Sequence, residues 1–502
     1  MPSVQRQGRD QALHPADQAF VAMDRRNSPM NMSVLVMLDE SRGSLEEWRR
    51  YLDSRLDRVP RWRQKLATLP LGIGRPVWVD DREFDIANHV QGVRLDLDGD
   101  DVLHELAARL HGARQPMRHS PWLITVVDQP SRQSLAVRAH HVLADGVGTV
   151  EIGQAIFDLA GLQVEDGAAD DSVEDSSPTQ AENPGESSGG AEGLRADVVQ
   201  RVEVVRSLAW DRMAMVPRVV ETVRRLPTHL QSSALTGVLD LAKGVVTGPV
   251  VALGSPFARR VGPGRHFEGL HFPLDQIKRI KDAAGCKVND VVLAIVASGA
   301  RAVFDIHGLP DRSRLRIAVP VDVRRPEDPS FGNHLSVRRI EAPISPVASL
   351  AHVSSVADAS RASVEGEIEL SFHEFMNMAE ILPPSAVRTI ARAVARLPLF
   401  DVFVSNIPGP PPLSIRGARV VDLIPNIPPG PRTPIAVCAC SYDGTMSVSV
   451  VADDRGQDDA STLRDAMATA FDELRAEADE RLAPAVKGRG KRTDHVPVSP
   501  QA

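Results

Sequence analysis

Leu135-Ala136-Val137-Arg138-Ala139-His140-His141-Val142-Leu143-Ala144-Asp145-Gly146 is the stretch on which the reading of this chain turns. Leu135, Val137 and Ala139 alternate, as the buried face of a strand does, and His141 continues that face. Trp122 to Val127, a polar turn at 128–131 and Leu135 to Ala139 therefore predict strand, turn and strand. After Gly146 an apolar stripe of Val147, Val150, Ile152, Ile156, Phe157 and Leu159 approaches helical period. A histidine leaving a strand in this way is held by the sheet while its ring reaches a cleft. Its ordinary pKa, near 6.5, suits it to take a proton from a hydroxyl at neutral pH. Asp145 can accept a hydrogen bond or pair with an arginine and so fix the turn, and Gly146 permits a backbone angle that other residues resist. Taken alone, the motif leaves open a second reading, two core histidines beside a turn.

Rival chemistries have little to stand on. No strand-to-helix Gly-x-Ser-x-Gly elbow supplies a nucleophilic serine, and no His-Glu-x-x-His or Walker loop offers a metal or nucleotide site. A direct, base-assisted group transfer without a covalent intermediate is the expectation. No metal and no bound cofactor are expected. Cys438-Ala439-Cys440 lacks the spacing of common zinc or redox motifs, and three cysteines make no disulfide framework. They point to a reducing compartment.

The chain has 502 residues, 42% hydrophobic and 25% charged, which predicts a globular protein of two domains. Its net charge of -8 is local, because residues 164–193 carry nine acidic residues and no Lys or Arg. Nucleic acid is not an expected partner. Met1 to Asp10 lacks the apolar core of a signal peptide, and no apolar run reaches the ~18 residues of a membrane span. A cytoplasmic protein is expected, with contact at a membrane or lipid-body surface left open.

These signals divide the chain into a first domain at 1–163, a disordered acidic linker at 164–193 and a helical connector at 194–250 interrupted by Pro217 and Pro227. A second domain follows at 251–480, then a basic disordered tail at 481–502. Met32 to Met37 predicts a strand, and Ser44 to Arg55 a helix capped by Ser44. In the second domain the run Val291 to Ala297 predicts a buried helix capped by Asn289. Leu315 to Val321 and Phe400 to Val404 predict strands, and Ile435–Cys440 with Ser447–Val451 a hairpin turning at Asp443-Gly444. Arg259, Arg260 and Arg265 read as a solvated face or as a phosphate clamp.

The sequence resembles the bacterial wax ester synthase/diacylglycerol acyltransferase family from about Pro15 to Asp454. Asp17-Gln18-Ala19-Phe20 with Ser28-Pro29-Met30-Asn31-Met32 is similar to that family's opening, and Arg75–Asp81 with Phe84-Asp85 and His89 follows in order. The HHxxxDG motif at His140–Gly146 comes next. Val288-Asn289-Asp290-Val291, Val319-Pro320-Val321, Gly332-Asn333-His334, Ser405–Pro410 and Ser441-Tyr442 complete the series. The resemblance implies an α/β (α+β) fold of two chloramphenicol-acetyltransferase-like domains with the active site at their interface. It implies acyl-CoA as donor and diacylglycerol or a long-chain alcohol as acceptor. By the same likeness His141 is the proton acceptor, His140 supports it and Asp145 is structural. Asn289 either steadies the developing oxyanion or only caps its helix; Asp290 ties the helix start to neighbouring backbone, and Ser405–Pro410 is a structural turn. One departure lies at Met117–Trp122, where the family's Pro-Leu-Trp lacks its leucine, leaving acceptor preference open. Two other functions fit the motif: a condensation-type acyltransferase fed by a carrier protein, and a lipid-binding protein without activity.

Overall fold

The strand, turn and strand expected around residues 122–139 are adjacent strands of the first of two large sheets. The computed structural model describes residues 12–68, 75–159, 255–309, 312–324, 332–363 and 399–483, with residues 388, 391, 392 and 395. The acidic linker, the helical connector at 194–250 and the tail beyond residue 483 lie outside the described residues.

The first half supplies α1 (Pro15–Met23), β1 (Asn31–Leu38), α2 (Leu45–Arg55), β2 (Gln64–Ala67), β3 (Val77–Asp80) and β4 (Val90–Arg94). It continues through α3 (Asp100–Gly112), β5 (Trp122–Asp128), β6 (Gln133–His140), α4 (Gly146–Ile156) and β7 (Asp158–Leu159). The second half runs through β8 (Arg265–Pro273), α5 (Leu274–Ala284), α6 (Val288–Ile306), β9 (Arg314–Asp322), β10 (Leu335–Pro343) and α7 (Leu350–Ala362). It ends with β11 (Val402–Pro408), β12 (Leu413–Ile415), β13 (Ala418–Asn426), β14 (Ile435–Tyr442), β15 (Thr445–Asp453) and α8 (Gln457–Leu482).

The fold is mixed α/β with a sheet in each half. One sheet has seven strands in the order β4-β5-β6-β1-β13-β12-β7, the other six in the order β10-β9-β11-β14-β15-β8. Chain position hides one feature of this arrangement: β12 and β13 come from the second half but complete the first sheet. β13 pairs antiparallel with β1, Leu35 facing Ile424, so the second half closes the sheet that carries the histidines. Tyr442 holds the excursion in place. Its hydroxyl accepts the Leu413 N–H at 2.7 Å and donates to the Val420 carbonyl at 3.1 Å.

Local chemistry accounts for the element ends. Ser44 and Glu47 form a reciprocal capping box at the start of α2. Asp443 and Gly444, with φ of 43° and 85°, make the tight turn between β14 and β15. Lys287, not Asn289, is the N-cap of α6. The Asp290 carboxylate reaches back to accept the Lys287 N–H at 3.0 Å, which places the negative charge in the first turn, where the helix dipole favours it. Val291 to Ala297 are all buried in the core between the six-stranded sheet and α8. Removing such side chains from water contributes about 1.5–3 kcal/mol for each large aliphatic one. No single helix among the described residues is long and apolar enough to cross a membrane.

The Ser405–Pro410 motif is not a turn. Its first four residues are the end of β11, paired in parallel with Cys438 to Ser441 of β14. Gly409 follows where the backbone passes against Ser441, so close that a Cβ would overlap the Ser441 carbonyl oxygen. Gly409→Ala is therefore expected to destabilise the protein by about 1–3 kcal/mol, read as a lowered midpoint of urea unfolding. An unchanged midpoint would show that the strand end can move away without cost.

Candidate active site

β6 delivers His140 to the edge of a short loop whose backbone is held on several sides. The His140 N–H donates to the Pro121 carbonyl at 2.9 Å, and the His141 N–H to the Met30 carbonyl at 2.8 Å. Asp145 ends the loop as the N-cap of α4, accepting the Gly148 N–H at 2.9 Å. The same carboxylate takes two more partners from the second half. Arg324 donates Nη2 to both oxygens at 3.1 Å, and the His334 N–H donates to Oδ2 at 3.0 Å. Gly146 is not in the left-handed region. What it meets is β11: a Cβ there would stand 3.3 Å from Cδ1 of Ile407, so the HHxxxDG loop lies against the Ser405–Pro408 strand.

The two histidines differ in what they can do. His140 is fully buried, and its Nδ1 accepts the Val142 N–H at 3.0 Å. The proton of the neutral ring therefore sits on Nε2, which lies 3.8 Å from Asp24 Oδ1. Burial would raise the Asp24 pKa, but His140, Arg114 and the Met30 N–H more than offset it and hold the carboxyl below its usual value. His141 is partly exposed, with Nδ1 buried and its ring stacked on Phe20 at 4.0 Å and 7° between planes. Desolvation lowers its pKa to about 4, against the opposing pull of its own carbonyl and of Asp145. Burial lowers that of His140 as well, though Asp24 pulls it up. Burial thus favours the neutral form of both rings.

One side of α1 and its flanking residues faces this loop. His14 lies 5.8 Å from the His334 ring, Asp17 bonds to Asn333, Phe20 covers His141, and Asp24 faces His140. The spacing of three to four residues is that of a single helical face. Asn333 in turn donates Nδ2 to the His141 carbonyl at 2.6 Å. Asp17, Phe20, Asn333 and His334 stand in the family-like motifs of the sequence, which give them no task. Arg324 and Asp24 carried no such mark, because an isolated Arg or Asp announces a partner only once the fold supplies it.

Other sequence-predicted residues make no direct bond to the two histidines among the described residues. Asn289 is on the first turn of α6, half-buried, and no hydrogen bond joins it to His140, His141 or Asp145 among the described residues. Trp122, beside the departure from the family pattern, is buried in a stack between Trp62 and His89, and its Nε1 donates to the Trp62 carbonyl at 2.8 Å. Its neighbour Pro121 nevertheless touches the site through the His140 N–H. Arg259 and Arg265 form neither a solvated face nor an open clamp. Arg259 pairs with the buried Asp453, while Arg265 donates to the carbonyls of Gly262, Gly264 and Asn27. Arg260 alone of the three is exposed.

Residues 13–292 match the wax ester synthase/diacylglycerol acyltransferase catalytic domain, and residues 331–475 match the C-terminal domain of the same family. Two Mycobacterium tuberculosis proteins described as probable diacylglycerol O-acyltransferases are similar over most of the chain. One, tgs2, is 28% identical, covering 83% of this chain and 89% of its own; the other, tgs1, is 26% identical, covering 85% and 87%. The solved wax ester synthase/diacylglycerol acyltransferase of Marinobacter aquaeolei VT8 shares the fold with a TM-score of 0.61 at 19% identity, covering 93% of this chain and 99% of that one. The first condensation domain of the CDA synthetase shares it at 0.56 and 13%, covering 93% and 97%.

The Arg324–Asp145 pair is nearly out of water, at 11% and 5% side-chain exposure. Arg324→Leu strands the carboxylate and is expected to cost about 3–5 kcal/mol in urea unfolding. Adding Asp145→Asn should recover part of that loss. Equal stability of wild type and Arg324→Leu would contradict the arrangement.

Proposed function

The chain belongs to the wax ester synthase/diacylglycerol acyltransferase family, and we propose from its site that it transfers a long-chain acyl group from acyl-CoA to diacylglycerol with His141 as general base. That the chain is an acyltransferase follows from the family; the donor, the acceptor and the base are this proposal. A long-chain alcohol, giving a wax ester, is the second acceptor that the family name supports. Diacylglycerol is preferred because the mycobacterial relatives that cover more than four-fifths of the chain are described by that activity.

The observation that carries the assignment of the base is the contrast between the two rings. His140 has Nδ1 committed to a backbone N–H and Nε2 turned to Asp24. His141 keeps a partly exposed ring in the neutral form, with Nδ1 buried, so Nε2 is its atom for a substrate. In the proposed reaction the acceptor oxygen attacks the thioester carbonyl carbon as its proton passes to that Nε2. The carbon–sulfur bond then breaks, and the departing thiolate recovers the proton. No covalent acyl-enzyme is required. The same reading gives the Asn289 amide, at the positive end of α6 and without a hydrogen-bond partner among the described residues, to the developing oxyanion. Asp145 takes no proton; it holds the loop.

Purified protein given radiolabelled long-chain acyl-CoA and diacylglycerol is expected to form triacylglycerol, and His141→Ala to lower turnover by at least about a hundredfold. Equal product from wild type and His141→Ala would refute the assignment. The pH profile offers a separate check. The folded imidazole is held to about 4, so the neutral base survives acidification that would protonate an ordinary histidine. The acid limb of kcat/KM should accordingly fall well below pH 6.5, and a limb centred on 6.5 would contradict a desolvated base.

A further inference from the structure

We propose that Asp17 is a positioning residue for His141, acting through Asn333 across the junction between the two halves of the chain. The inference rests on His141 being the base. Asp17 is 3% exposed and Asn333 1%, so neither bond has water as a competitor. Asp17 Oδ1 accepts both the Asn333 backbone N–H at 3.1 Å and its Nδ2 at 2.6 Å. That amide nitrogen has two hydrogens; the second goes to the His141 carbonyl at 2.6 Å. Asn333 therefore has no freedom to rotate without losing a buried bond. Its grip on the His141 carbonyl complements the Met30 grip on the His141 N–H, so both backbone polar groups of the base are anchored.

The ring is held from the same helix. Phe20 follows Asp17 by three residues on α1 and stacks flat on the imidazole. One turn of helix thus fixes the backbone of His141 through Asn333 and its ring plane through Phe20. The neighbouring backbone follows, since Ala144 and Gly332 form a bridge between the two segments.

A carboxyl buried in this way is a poor choice for stability alone. Burial pushes the Asp17 pKa up to about 7, opposed by the two Asn333 bonds and the charge of Arg61, while the charge of Asp145 adds to the rise. An apolar residue of similar size would avoid that cost, so the return is in the site. The position tolerates titration. A proton added at Oδ2 leaves Oδ1 free to accept both bonds, which predicts that an amide can stand in for the acid.

The test uses the full chain and steady-state kinetics with acyl-CoA and diacylglycerol. Asp17→Ala should lower kcat by about 10- to 100-fold, as a misplaced reacting group does, with KM within about twofold. Asp17→Asn, which keeps the acceptor, should restore kcat to within about threefold of wild type. Asn333→Ala should match Asp17→Ala, and the double variant should be no worse than either alone. If Asp17→Ala does not fold, Asp17→Asn and Asn333→Ala carry the same comparison. Wild-type kcat in Asp17→Ala or Asn333→Ala, with His141→Ala inactive, overturns the positioning role and leaves the base intact. An active His141→Ala overturns the base itself.

Discussion

The Asp145 carboxylate is the joint on which the site depends. It caps α4 in the first half, and it receives the Arg324 guanidinium and the His334 N–H from the second. A carboxylate this far out of water is costly unless several donors meet it, and here three donor groups do. The consequence is geometric. The loop that carries His140 and His141 is held by contacts from both halves. On the proposed reading, Asp145 thus does structural work at the centre of a chemical site.

The surroundings of the two rings then separate their tasks. Burial depresses both imidazoles, yet one is spent on Val142 and Asp24 while the other keeps a substrate-facing nitrogen on the proposed reading. α1 brings the constraints together. At helical spacing its face meets His334, Asn333, His141 and His140 in turn. The crossing of β12 and β13 into the first sheet serves the same end. It ties β1, whose neighbour on the other side is β6, to the second half through a continuous ladder.

Much of this could be read from residue order, and the reason is periodicity. Strands β5 and β6, the cap at Ser44, the buried run of α6 and the turn at Asp443-Gly444 are local patterns, and each appears where its spacing placed it. Partnerships across the chain could not be read so. Nothing local distinguishes Arg324 from the neighbouring arginines, or shows that β13 leaves its own half. Asn289 illustrates the limit at a helix start: an Asn before an apolar run is a good cap, but Asp290 one residue later reaches the Lys287 N–H and moves the cap back. Gly146 reads locally as a backbone need, but its constraint is Ile407, a contact between residues more than 250 positions apart.

The most direct measurement is a crystal structure of the protein with a non-hydrolysable long-chain acyl-CoA analogue and diacylglycerol bound. The account predicts the acceptor hydroxyl oxygen within about 2.6–3.2 Å of His141 Nε2, with the Asp145, Arg324 and Asn333 contacts unchanged. An acceptor oxygen out of reach of His141, or held by another base, would contradict it.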